Sequence, residues 1–218
     1  MTDASCRAML GPWTQTASRR AFDLVDPRPE LVDFNVDIPE QLARIARFTG
    51  AIRGGAYSVA QHCVLGADLA FDQTHNEEFA AAFLLHDAHE AYLGDLATPA
   101  AQALAAVAFD QTGDGTPVSG AIRELKRRLD AAIHARAGIR FPLSPHVSQF
   151  IKEWDRRMLV TERNHLLGGP TRPWHEDFES AEPLPVRGAI KILPWPAAAD
   201  AYRARFARWC PAALPNAL

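Results

Sequence analysis

Apolar positions recur at helical rather than alternating spacing over most of this chain. The first stripe, Leu42, Ile45, Ala46 and Phe48, starts from Asp37, takes Pro39 in its first turn and stops at Gly50. Ser58-Val59-Ala60-Gln61 has capping-box spacing and predicts a second helix through Val64, Leu65 and Leu69 to about Phe71. Asn76 caps a third, with Glu77 and Glu78 in its first turn and Phe79, Ala82, Phe83 and Leu85 facing inward, and Gly94 ends it. Thr98-Pro99 opens a fourth that fades by about Phe109, and Asp110 to Pro117 reads as a flexible loop. Residues 119–137 turn Ile122, Leu125, Leu129 and Ile133 inward and leave Arg123, Lys126, Arg127 and Arg128 on a solvated face. Ser144-Pro145 starts a long helix carrying Val147, Ile151, Trp154, Met158 and Leu159 as far as Gly168-Gly169.

The two ends break this pattern. Residues 1–36 mix Trp13, Phe22 and Phe34 with Pro27, Pro29 and other turn formers, which predicts an extended flap or short hairpin. The Pro- and Trp-rich segment 170–218 closes with a helix from about Ala197 to Trp209 that packs on the core. The expectation is one all-α domain: an N-terminal flap (1–36), a helical core (37–169) and a C-terminal segment (170–218).

Composition narrows the function classes. A chain of 218 residues, 48% hydrophobic, forms a core without covalent staples. A net charge of -3 excludes the broad basic excess of a duplex-binding protein but leaves small anionic substrates open, since local arginines can serve them. Cys6, Cys63 and Cys210 form no CxxC pair, and their odd number argues for a reducing cytoplasm rather than a disulfide framework. There is no basic-then-apolar leader and no apolar run approaching the roughly 20 residues a bilayer requires.

The chemistry concentrates in the block from Ala82 to Asp95. His86 and Asp87 diverge by about 100° on a helix and can approach one cation as nitrogen and oxygen ligands. Glu90 lies one turn on, on the same face, placed to act on a metal-bound water. A His-Asp pair alone is ordinarily a surface hydrogen-bonding couple, so the site needs partners elsewhere. A zinc-protease reading of His89-Glu90 fails because Leu93 stands where a second His is required. His62 falls in the first turns of the second helix, and Asp155 on or beside a buried stripe, where an unpaired carboxylate costs several kcal/mol. A metal cation, or a basic side chain such as Arg123, would account for Asp155. His62, His86, Asp87 and Asp155 would together form a mixed nitrogen and oxygen shell suited to divalent manganese, cobalt, iron, nickel or zinc, with magnesium less favoured. His89, His134 and His146 are only loosely available for a second metal, and the Gly-rich loop around Arg53 is too short for a Walker loop.

His62, then His86-Asp87, then Asp155, together with Phe22 to Pro29, Tyr57 to His62 and the block from His86 to Asp95, resembles the HD-domain phosphohydrolases, in particular the bacterial and phage group near the 5′-deoxynucleotidases. The resemblance covers most of the chain. It implies an HD-domain helical bundle, one divalent metal on His62, His86, Asp87 and Asp155, Glu90 assisting the attacking water, and Asp95 at the scissile phosphate or the sugar. Arg47-Phe48 falls where the family's nucleotidases place an Arg-Trp pair. Arg47 and Arg53 are the candidates to hold phosphate, and Phe48 to stack on base or sugar. The implied activity is hydrolysis of nucleoside 5′-monophosphates, deoxynucleotides foremost. The alternatives are a dNTP triphosphohydrolase and a non-catalytic nucleotide sensor. Relatives form dimers or larger rings, so a homo-oligomer is expected.

Overall fold

The computed structural model describes residues 11–168 and 172–213 and is an all-α bundle with a short N-terminal hairpin, the class the periodicity predicts. Residues 1–10 of the expected flap, with Cys6, lie outside the described residues, as do Gly169 and Pro170. Strand β1 (Trp13–Gln15) pairs antiparallel with β2 (Ala21–Asp23), Thr14 opposite Phe22. Phe22 is buried and stacks on Tyr92 at 3.8 Å between ring centres, which seats the hairpin beside the end of the His-Asp block.

Three helices build the heart of the molecule. Helix α1 (Asp37–Arg44) precedes them; α2 (Val59–Thr74) and α3 (Glu77–Leu85) both start on the side-chain caps the sequence predicts. The Ser58 hydroxyl accepts from Gln61 N at 3.2 Å, and the Asn76 amide oxygen accepts from Glu78 N at 2.8 Å. A Cβ at Gly66 of α2 would lie 2.1 Å from the Phe83 ring of α3, so only glycine lets the two helices approach this closely. The Gly66 carbonyl also accepts from the Trp154 indole at 2.9 Å, which draws in the long helix that begins at Pro145. Beside this three-way contact stand His62, a turn before Gly66, His86, a turn after Phe83, and Asp155, next to Trp154.

Three local expectations are corrected. Helix α1 ends at Arg44 rather than Gly50, because the Ile45 carbonyl accepts from Val59 N at 3.0 Å and Arg47 N donates to the Tyr57 carbonyl at 2.9 Å. These bonds pair Ala46 with Ser58 and swing Arg47 and Phe48 off the helix. The His-Asp block is not one unbroken helix. After Leu85 the chain tightens into successive turns, with Ala88 N bonded to the Leu85 carbonyl and Glu90 N to the Asp87 carbonyl, both at 3.0 Å, before α4 (Glu90–Leu93) ends at Gly94. The loop expected at 110–117 is mostly helix end. Helix α5 (Thr98–Thr112) is closed by Gly113 at φ +79, and Pro117 sits in the first turn of α6 (Thr116–Arg136).

Helix α7 (Pro145–Glu162) is capped by Ser144 and continues into a π-helical turn, Arg163–Leu167. Beyond the short α8 (Glu176–Glu179), α9 (Trp195–Trp209) lies on α1, α2 and α3, where the Tyr202 hydroxyl donates to the Leu84 carbonyl at 3.0 Å and Phe206 stacks on Phe34 at 3.8 Å. Among the described residues no helix is long and apolar enough to cross a membrane.

Candidate metal centre

The geometry is set by what each imidazole gives away at Nδ1. His62, fully buried, donates Nδ1–H to the Glu162 carboxylate at 2.6 Å. His86 donates Nδ1–H to the Phe83 carbonyl at 2.7 Å, and a carbonyl can only accept, so the tautomer is fixed. In both neutral rings the lone pair then sits on Nε2, and these two atoms face each other at 3.3 Å. Two lone pairs at that distance repel unless a cation or a proton lies between them.

Two carboxylates close on the same point. Asp155 Oδ1 is 3.3 Å from His62 Nε2 and 3.6 Å from His86 Nε2, while Asp87 Oδ2 is 3.2 Å from His86 Nε2 and 3.8 Å from His62 Nε2. Adjacent ligands about 2.1 Å from a shared transition-metal ion stand about 3.0–3.4 Å apart, so the spacing fits such an ion. Asp155 gives the clearest sign. Its carboxylate is 42% exposed, yet Oδ1, the atom turned to the imidazoles, is buried and takes no hydrogen bond. Arg123 is not its partner; the two imidazoles are. Burial opposes charge on His86, but Asp87 and Asp155 outweigh it and hold the imidazole well above its usual pKa. Burial likewise opposes ionisation of Asp155, and His62 and His86 override it and lower its carboxyl well below the usual range. Without a cation, a proton serves as the positive charge this set demands. His62, His86 and Asp155 thus have the donors to hold a metal ion, and Asp87 approaches the same centre.

A buried hub supports the ligands. Glu162, at the end of α7, accepts from His62, from the Tyr57 hydroxyl at 2.8 Å and from Arg47 Nε at 3.1 Å. Sequence reasoning passed over it, although it stands seven residues after Asp155 and so on the same helix face. A carboxylate behind a ligating imidazole fixes the ring and raises its basicity. Arg47 also reaches Asp87 Oδ2 through Nη1 at 3.3 Å, so it braces the centre, with two guanidinium nitrogens already committed to carboxylates.

The other expected residues are placed unequally. Glu90, at the start of α4, is 5% exposed, and its Oε2 has no hydrogen-bond partner among the described residues. Burial, aided by Asp87 and Asp95, pushes its carboxyl up to about 9. Asp95, half buried after Gly94, is also raised by burial, with Arg47 opposing. Phe48 is half buried, its ring 5.7 Å from the Arg47 guanidinium carbon, and it and Thr49 hold left-handed backbone at φ 54 and 51, a strain of about 1–3 kcal/mol each that collects at functional sites. Arg53 is exposed on its loop and makes no hydrogen bond or ion pair with the described residues. The buried Cys63 thiol is pushed up to about 11, which leaves it neutral. Of the histidines left aside, His89 binds Asp130 Oδ1 through Nδ1 at 2.9 Å and groups with Asp87 and Glu90, whereas His134 binds the Asp130 carbonyl and His146 lies tilted against Phe79.

Fold and centre together define an all-α protein with a buried His/Asp group able to hold a metal ion. The chain belongs to the family of an uncharacterised protein of Rhodobacter capsulatus, to which it is 34% identical over 202 residues, 90% of this chain and 95% of that one. It is also 34% identical over 130 residues to the uncharacterised protein YfdR of Escherichia coli, covering 60% of this chain and 59% of YfdR. No family model matches the chain.

Proposed function

We propose that this protein is a metal-dependent phosphohydrolase of the HD-domain kind, which cleaves the phosphate ester of nucleoside 5′-monophosphates, deoxynucleotides foremost. The observation that carries the reading is the pair of imidazoles locked at Nδ1, whose Nε2 atoms converge at 3.3 Å with two carboxylates, Asp87 beside His86 and Asp155 from α7. His62, His86, Asp87 and Asp155 would hold the ion, and the locked rings spare it the work of orienting them. When bound, a divalent metal supplies a lowered water pKa and polarisation of a phosphoryl oxygen. Glu90 presents Oε2, which no donor among the described residues occupies; a bound cation would bring its raised carboxyl down, so that it could take the proton of the attacking water. Asp95 shares that task at the other end of the Gly94 turn. Arg47 keeps Asp87 and Glu162 in register and partly offsets the negative charge around Glu90.

The triphosphohydrolase alternative calls for a cationic trough for the polyphosphate. A groove of about 520 Å³ does open at Asp155, but its Lys152 and Arg156 are outnumbered by Glu153, Asp155 and Asp177. That groove offers a polyphosphate no net positive lining. A purely sensing protein gains nothing from two proton-handling carboxylates beside the ligand set, which weighs against the non-catalytic alternative. The test is metal-stripped protein, reloaded separately with cobalt, manganese and magnesium, given dNMPs, NMPs and dNTPs with products resolved. Metal-dependent orthophosphate release from a dNMP, cut about 10²–10⁴-fold by Glu90→Gln with metal content unchanged, is expected. Triphosphate as product selects the alternative, and no turnover by metal-replete protein removes both.

A further inference from the structure

We infer that the gap between α5 and α6 binds the organic part of the substrate, a planar ring system carried on an anion, with Lys126 meeting the charged end. The inference rests on the phosphohydrolase reading for the identity of the anion, and on its own geometry for the site.

The two helices flank an open groove of about 590 Å³, inside the roughly 300–1,000 Å³ range of small-molecule sites. Its position ties it to the metal centre. The lining starts at Leu96, the residue after Asp95, and Lys126 on α6 is close enough to act electrostatically on both Glu90 and Asp95. One turn beyond Lys126, Asp130 accepts from His89, so the α6 wall is fastened to the turn that carries Asp87.

The packing of α5 explains why the space stays open. A helix that closed on α6 as core would turn its large apolar side chains inward; here Leu104, Val107 and Phe109 point outward at 50, 54 and 59% exposure, and no residue of α5 is buried. Ala101 and Ala105, one turn apart, face the gap instead. Methyl groups on one wall, Ile122 and Phe141 opposite, give flat apolar surfaces suited to a ring. The charged lining groups are Arg123, Lys126 and Arg127 against Asp130 alone, a positive excess that matches an anion in a chain whose net charge is -3. Lys126, on the face expected to be merely solvated, is half buried, whereas Arg127 is exposed and paired with Glu124 at 2.7 Å. That leaves Lys126 and the exposed Arg123 as the cations to meet a ligand, and of the two Lys126 is the one half buried and within electrostatic reach of Glu90 and Asp95.

Because these residues do not overlap the metal ligands, binding and metal loading are separable. Equilibrium dialysis of metal-free protein against each of the four dNMPs is expected to show retention of at least one. Ala105→Trp, which fills the gap, and Lys126→Met should each weaken it tenfold or more, and His86→Ala should leave it unchanged. Ala101→Trp is the second filling variant, in case Ala105→Trp unfolds, and methyl phosphate should be retained equally by wild type and the Trp variants. No dNMP retention by wild type, or retention untouched by both Trp variants, overturns the inference, as does a Trp variant that alters only the oligomeric state in light scattering. Orthophosphate release from dNMPs with unaltered KM in the Trp variants would sink the pocket and spare the phosphohydrolase. Retention lost in the Trp variants with no ester ever cleaved would do the reverse.

Discussion

The region where α2, α3 and α7 meet and the α5–α6 pair are both helical, and they are built on opposite rules. In the first, Gly66, Phe83 and Trp154 close without space for a methyl group, and both imidazoles of the centre are oriented by an acceptor behind them. In the second, α5 buries none of its side chains and touches chiefly α6, across an open groove. The contrast separates two demands that the proposed catalysis would make. Ligands must be held to a fraction of an ångström before an ion arrives, because any reorientation is subtracted from its affinity; a surface that accepts an organic group needs room and tolerates slack.

The sharpest way to break the contrast is to remove a ligand. His62→Ala and His86→Ala are each expected to reduce bound metal from about one ion per chain to a trace, read by elemental analysis after gel filtration, whereas Lys126→Met leaves the metal content unchanged. Metal stripping should lower the Tm of the wild type, since an ion that binds only the folded state stabilises it by mass action, and should leave the Tm of His86→Ala where it was. If stripping shifts the two proteins equally, the cluster does not hold the ion.

A smaller effect is expected one bond further out. Glu162→Gln keeps the shape of the hub but weakens its acceptance from His62, Tyr57 and Arg47, so metal affinity should fall about 10–100-fold with the same ligands in place. Tyr57→Phe removes one donor and should cost less. Competition with a chromophoric chelator measures both, and unchanged affinity in Glu162→Gln would make the hub a matter of packing alone.

Glu162 also marks what could be read before the structure and what could not. The starts of α2, α3 and α7 were legible because Ser58, Asn76 and Ser144 act on backbone two or three residues away. The helical class was legible from apolar spacing, and His62, His86 and Asp155, picked out as candidates, do lie together. Glu162 stands 100 residues from His62, and nothing local distinguishes it from a solvated glutamate. Arg44 looked mid-helix because the bonds that end α1 come from Tyr57 and Val59, outside any window around it. Gly113, Gly115 and Pro117 were seen and misassigned: a C-cap glycine and a first-turn proline, read together, look like a loop. The openness of the α5–α6 gap was invisible, since the sequence of α5 does not say which of its faces α6 will meet.

The finest test uses two glycines, each within a helix, one in each region. At Gly66 a methyl group would enter the Phe83 ring, with approaches of 2.1, 2.7 and 2.8 Å, in a core where neither helix can retreat without loosening Trp154. Gly66→Ala should therefore destabilise by about 1–3 kcal/mol, and displacement of His62 and His86 should weaken metal binding with it. At Gly120 on α6 an added Cβ meets nothing within 4 Å, so Gly120→Ala removes only unfolded-state entropy and should stabilise by about 0.4–1 kcal/mol. Urea titration of the two variants measures both signs against one wild-type curve. Opposite signs mean that the α2–α3 contact is at its steric limit while α6 has slack. Equal signs would mean that the two helices do not differ in packing at these positions.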